Sequence, residues 1–153
     1  MMPTRAARLI AGFFGCGRAP VAPGTVGSLA ALVLGYGLMQ LPPFALTGGI
    51  LLASLGGLWA VQASRVDGDP AWVVIDEVAG QWVALLGLAR PTIAGLAAAF
   101  LVFRLLDVAK PGPVGWADRQ PGAAGIMADD LLAGALAAAI LWAAQSRWPG
   151  LLG

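Results

Sequence analysis

The chain has no histidine, one cysteine (Cys16) and little charge. Each shortage excludes something. Without histidine there is no imidazole general base, no phosphohistidine chemistry and no imidazole metal ligand. One cysteine permits no intrachain disulfide and no cysteine-built metal site. Charged residues make up 11% of the 153 positions, against roughly 25% in an ordinary soluble domain. Nine basic and eight acidic residues would cover a soluble globule of this size poorly. A hydrophobic fraction of 59% and a mean hydropathy of +0.81 exclude disorder. A net charge of +1 with scattered Lys and Arg leaves no electrostatic footprint for nucleic acid. Chemistry must therefore run on carboxylates, Arg, Lys, hydroxyls, backbone amides and bound metal.

The length suits a single domain, residues 1–153. No charged residue occurs from Ala19 to Ser64, and Pro42-Pro43 breaks that stretch in the middle. The pattern predicts a helical hairpin in a lipid bilayer, about Thr25–Leu41 and Phe44–Ser64. A second apolar stretch, interrupted at Arg90-Pro91, predicts helices near Ala71–Ala89 and Thr92–Asp107. A last helix is expected to start at Asp129-Asp130 and run to about Trp148. The expected fold is all-α: a polytopic membrane bundle of about five helices. The fourth, at about 24 Å, falls short of a hydrocarbon core of about 30 Å. The apolar run behind Arg5 and Arg8 is too short for a signal peptide. It reads as a short interfacial helix, with both arginines near headgroups and Phe13 and Phe14 dipping in. Abundant Gly would let helices approach closely.

Five crossings place Arg5, Arg8, Arg18, Arg65, Arg104, Lys110 and Arg119 on one side, and Arg90 and Arg147 on the other. By the positive-inside rule the first side is cytoplasmic. Asp67, Asp69, Asp76, Glu77, Asp107, Asp118, Asp129 and Asp130 all fall on that same side. Acids contribute little to orientation, so their gathering points to one polar site facing the cytoplasm.

Asp76-Glu77 and Asp129-Asp130 each lie between apolar runs, where acids are costly unless they bind something. Acids in a first turn also suit the helix dipole, which accounts for the second pair in another way. The patterns Asp76-x-x-Ala79-Gly80 and Asp130-x-x-Ala133-Gly134 put a glycine one turn beyond each acid on the same face. Such a glycine lets another helix pack beside the carboxylate. Two such helices facing each other would gather up to four carboxylates and need a cation between them. An all-oxygen set selects Mg²⁺, Mn²⁺ or Ca²⁺. Arg104, Asp107 and Lys110 step by three along one helix end. The arginine fork and the lysine charge suit phosphate oxygens, or the two cations anchor that helix at the headgroups. Thr25 is a plausible helix N-cap with Gly27 and Ser28 in the first turn, where free amides could hold a phosphate or capping alone could operate.

These blocks, in order, resemble the phosphatidylglycerophosphatase A family. They are Pro23-Gly24-Thr25-x-Gly27-Ser28-Leu29, Asp76-Glu77-x-x-Gly80, Phe103-Arg104-x-x-Asp107-x-x-Lys110-Pro111-x-Pro113, Asp118-Arg119 and Gly125-Ile126-Met127-x-Asp129-Asp130-x-x-Ala133-Gly134. The resemblance runs from about Gly12 to the end. Pro121 and Ala123 depart from a usually Gly-rich approach. The resemblance implies a multi-pass enzyme of the bacterial inner membrane that depends on Mg²⁺. It implies removal of the terminal phosphate of the phospholipid phosphatidylglycerophosphate to give phosphatidylglycerol. On this reading Asp76, Glu77, Asp129 and Asp130 hold Mg²⁺, and Arg104 and Lys110 bind phosphate, helped by Thr25 and Ser28. Asp76, Glu77 and Asp130 also serve catalysis, and Asp107 is the candidate general base. Water or a carboxylate remains open as the nucleophile. Asp67 and Asp69 lie outside the matched blocks and are expected to matter less.

Rival readings meet specific residues. Histidine-dependent lipid phosphatases lack their residue here. A Cys-x5-Arg phosphatase would need Arg at position 22, which is Ala22. Asp67-Gly68-Asp69 only echoes an aspartyl-phosphatase motif, without the parallel-sheet pattern around it. A small cation transporter would spread its acids through the depth of the membrane. A phosphatase for another lipid phosphomonoester stays open, as do acyl-chain selectivity and oligomeric state.

Overall fold

The computed structural model describes residues 5–152, and every regular element among them is helical. α1 (Arg5–Ala11) leads through a 3₁₀ segment (Phe13–Arg18) into α2 (Pro23–Met39) and α3 (Phe44–Ser64). α4 (Ile75–Leu85), α5 (Ile93–Ala109), α6 (Pro113–Asp118) and α7 (Gly122–Arg147) follow.

The hairpin falls where Pro42-Pro43 demands it, since proline cannot continue a helix and restrains the residue before it. Two helices, α3 and α7, are long and apolar enough to cross a membrane, and α2 is a shorter apolar helix. Large apolar side chains stand exposed on the outer faces, among them Val33, Leu52, Leu55, Leu101 and Trp142.

α4 is shorter than the sequence predicts. Pro70 closes a turn through the Val73 amide, and the Val74 amide donates to the Ala11 carbonyl, so 71–74 stay outside the helix. At 11 residues, about 16 Å, α4 cannot span a bilayer core of about 30 Å. It is the buried centre of the bundle instead, packed by α2, α3, α5 and α7. Gly27, Ser28, Ala31 and Gly35 form the buried face of α2. The Trp82 indole N–H donates to the Ala31 carbonyl at 2.7 Å and ties α4 to α2.

α7 is longer than predicted. It begins at Gly122 rather than at Asp129, and Gly122–Gly125 form its first turn. Asp129-Asp130 therefore sit in the body of α7, and the first-turn dipole account of that pair is removed. Asp76 and Glu77 take that position instead, in the first turn of α4. The N-terminal segment also differs in detail. Arg5 and Arg8 are exposed and Arg8 lies over the Trp72 ring, while Phe13 turns into the core and only Phe14 remains outside.

Candidate active site

α4 and α7 cross at their glycines. A Cβ on Gly134 would stand 2.3 Å from the Gly80 carbonyl oxygen, and one on Gly80 would stand 2.5 Å from the Asp130 carbonyl oxygen. No side chain fits there, so the two Asp-x-x-Ala-Gly patterns bring their helix backbones into direct contact. The crossing sets the two acid pairs beside each other.

Carboxylate oxygens of Asp76, Glu77 and Asp130 lie within 4.8 Å of one another, and so do those of Asp107, Asp129 and Asp130. Asp130 belongs to both groups. Asp76 is 5% exposed, Asp129 4% and Asp130 2%. Asp76 Oδ1, Glu77 Oε2 and Asp130 Oδ2 are buried without a hydrogen-bond partner. Buried carboxylate oxygens with no donor are costly, and a cation is what such a set accommodates. Only oxygen donors are present, which suits Mg²⁺, Mn²⁺ or Ca²⁺. Asp107, expected as the general base, lies in the second of these groups.

The cations separate. Arg104 Nη1 pairs with Asp107 and lies 4.0 Å from Glu77. Lys110 is not a third step along the α5 face. It caps α5 in the left-handed conformation (φ 47°), and its ammonium donates to Asp118 at 2.6 Å and to Asp129. Desolvation acts to lower the Lys110 pKa, but the bonds to Asp118 and Asp129 outweigh it and hold the pKa above the ordinary lysine value. Lys110 is thus a fixed positive charge near neutral pH.

The start of α2 abuts the cluster. A Cβ on Gly24 would meet Glu77 Oε1 at 2.1 Å and Arg104 Nη1 at 3.6 Å. Thr25 is the third residue of α2, and Ala22, in the left-handed region, is the N-cap. The Ser28 hydroxyl is buried and donates to the Gly24 carbonyl at 3.0 Å, so it braces the turn that meets Glu77.

The sequence set Asp69 aside, yet the fold brings it in. It lines a cavity of about 120 Å³ with Asp118, Gly125 and Asp129. Desolvation lifts its pKa above the usual carboxylate value; Lys110 opposes the rise, and Asp118 and Asp107 add to it. The Asp67-Gly68-Asp69 turn was the available signal, but spacing alone does not show which way such a turn folds. Gly68 has a positive φ of 70°.

Comparison with known proteins places the chain in one family. The family model for phosphatidylglycerophosphatase A matches residues 9–145. The chain is 37% identical to phosphatidylglycerophosphatase A of Escherichia coli, over 92% of this chain and 84% of that protein. It is 34% identical to the Haemophilus influenzae protein of the same name, over 90% and 87% of the two chains. It is also 34% identical, over 92% of each chain, to a Bacteroides thetaiotaomicron protein whose name proposes a phosphatidylinositol-3-phosphatase. No solved structure matches. A crossing built on Gly80 and Gly134 with acids from three helices therefore sits in a chain that belongs to the phosphatidylglycerophosphatase A family and is a lipid phosphatase.

Proposed function

We propose that the protein hydrolyses the terminal phosphate of phosphatidylglycerophosphate to give phosphatidylglycerol, in a reaction dependent on Mg²⁺. The whole chain acts as one domain embedded in the bacterial inner membrane, with the site on the cytoplasmic side. The observation that carries this reading is the set of unpartnered buried oxygens on Asp76, Glu77 and Asp130 beside Arg104.

Asp76, Glu77, Asp129 and Asp130 would hold the cation, with Asp107 completing the second group. When bound, the cation would offset negative charge on the phosphoryl oxygens. Arg104 has five N–H donors, and those beyond the one facing Asp107 can reach a phosphate as a fork. Lys110 has three, of which Asp118 and Asp129 take two, leaving one for the substrate. The backbone amides at the start of α2, near Thr25, add further donors, while Ser28 holds that turn in shape. Asp107, hydrogen-bonded by Arg104, is the candidate general base.

A second reading, a phosphatase for another lipid phosphomonoester, is favoured by the name of the Bacteroides relative. A cation transporter fits less well, because the acids gather where α4 begins and α5 ends. The deciding experiment is phosphate release by purified protein from a panel of lipid phosphates, with and without Mg²⁺. Release from phosphatidylglycerophosphate should exceed all others and vanish with chelator. A preference for a phosphoinositide would select the second reading, and full activity in excess chelator would reject the metal.

A further inference from the structure

We infer that the acidic cluster binds two divalent cations, with Asp130 a ligand to both. The inference rests on the metal-dependent reading above and goes beyond it in number, order of binding and consequence.

Geometry gives the first reason. The two oxygen groups each have the compactness an ion needs, they draw on different partners, and they share only Asp130. Asp130 Oδ2 is among the unpartnered oxygens of a side chain that is 2% exposed. A carboxylate has two oxygens and about four lone-pair sites, so one aspartate can serve two ions.

Charge gives the second. Asp69, Asp76, Glu77, Asp107, Asp118, Asp129 and Asp130 surround Arg104 and Lys110. Seven carboxylates against two cations leave a formal charge of −5 before any phosphate arrives. One divalent ion brings this to −3, which still repels a phosphomonoester dianion. Two bring it to −1, and the dianion then meets cations directly.

The groups are unequal. The first, Asp76 and Glu77 with Asp130, contains unpartnered oxygens on all three residues. In the second, Asp107 is already bonded by Arg104 and Asp129 by Lys110. An ion at the first group meets no competing donor on those oxygens, and one at the second must compete with two built-in cations. Binding of the second ion draws Asp107 and Asp129 away from Arg104 and Lys110. Donors that now face carboxylates then become available for phosphate. The second ion thus prepares the phosphate-binding groups as well as neutralising charge.

The test is Mn²⁺ binding to the purified full-length protein after metal removal, followed by titration calorimetry and by electron paramagnetic resonance. We expect two Mn²⁺ per chain, the second at least tenfold weaker, with an exchange-coupled signal once both are bound. Asp107→Asn and Asp129→Asn should each keep the tight ion and lose the weak one. Asp130→Asn should lose the coupled signal. One Mn²⁺ per wild-type chain would overturn the two-ion inference and leave the metal-dependent reading standing. No Mn²⁺ binding would overturn both. A second ion that survives in both Asp107→Asn and Asp129→Asn, or that gives no coupling in the wild type, would overturn the shared role of Asp130.

Discussion

Replacing Gly80 by alanine adds one carbon where two helix backbones already touch. The new Cβ would lie 2.5 Å from the Asp130 carbonyl oxygen and 2.6 Å from Phe103 Cε2. Carbon contacts settle at about 3.5–4.0 Å, so α4 and α7 must part by roughly 1 Å. Phe103 can turn only within a fully buried site, and the Asp130 carbonyl belongs to the α7 backbone. Overpacking of this kind costs about 1–3 kcal/mol, which lowers stability without preventing folding. The chemical cost is larger. Metal–ligand distances tolerate about 0.2 Å, and the parting separates Asp76 and Glu77 on α4 from Asp129 and Asp130 on α7. A misplacement of about 1 Å is enough for a loss of about 10²-fold. The measurement is kcat/KM for phosphate release from phosphatidylglycerophosphate, normalised to folded protein, together with the thermal midpoint. Gly56→Ala is the control: its Cβ meets nothing within 4 Å, and a helical Gly→Ala change favours the helix by about 1 kcal/mol. It should keep full activity. A Gly80→Ala enzyme within twofold of wild type would refute the argument that this crossing sets the site.

Single truncation of Asp76, Glu77, Asp129 or Asp130 to Ala should lower turnover by orders of magnitude, and Mg²⁺ titration of each variant would show whether binding is lost with it. Asp69→Ala should cost less than Asp130→Ala but clearly more than Asp67→Ala, since Asp69 lines the cavity beside Asp118 and Asp129; equal silence of the two would place Asp69 outside the site. Arg104→Lys keeps the charge but loses the fork, so kcat/KM should fall roughly ten- to a hundredfold. A value within twofold of wild type would reject Arg104 as a phosphate ligand. In a Cys16→Ser background, cysteine at Gln40 should react with an impermeant thiol reagent from outside the cell and cysteine at Gln120 should not; the reverse pattern would overturn the orientation.

Much of this protein can be read along the chain. Missing histidine and near-missing cysteine confine the chemistry to oxygen donors and two kinds of cation. Pro42-Pro43 fixes the hairpin, because proline limits backbone choice whatever surrounds it. The Asp-x-x-Ala-Gly spacing places acid and glycine on one face, because helical periodicity is local. Tertiary structure decided the rest. Backbone contacts held 71–74 out of α4, and α7 began at Gly122, so the acid pairs exchanged their places relative to the helix starts. Lys110 left the Arg104 face by taking a left-handed cap, and Asp107 and Asp69 joined acids more than twenty residues away in sequence or on another element. Local spacing determines which side chains share a face. Which faces meet depends on where helices can touch, and α4 and α7 touch where Gly80 faces Gly134 and neither backbone carries a side chain.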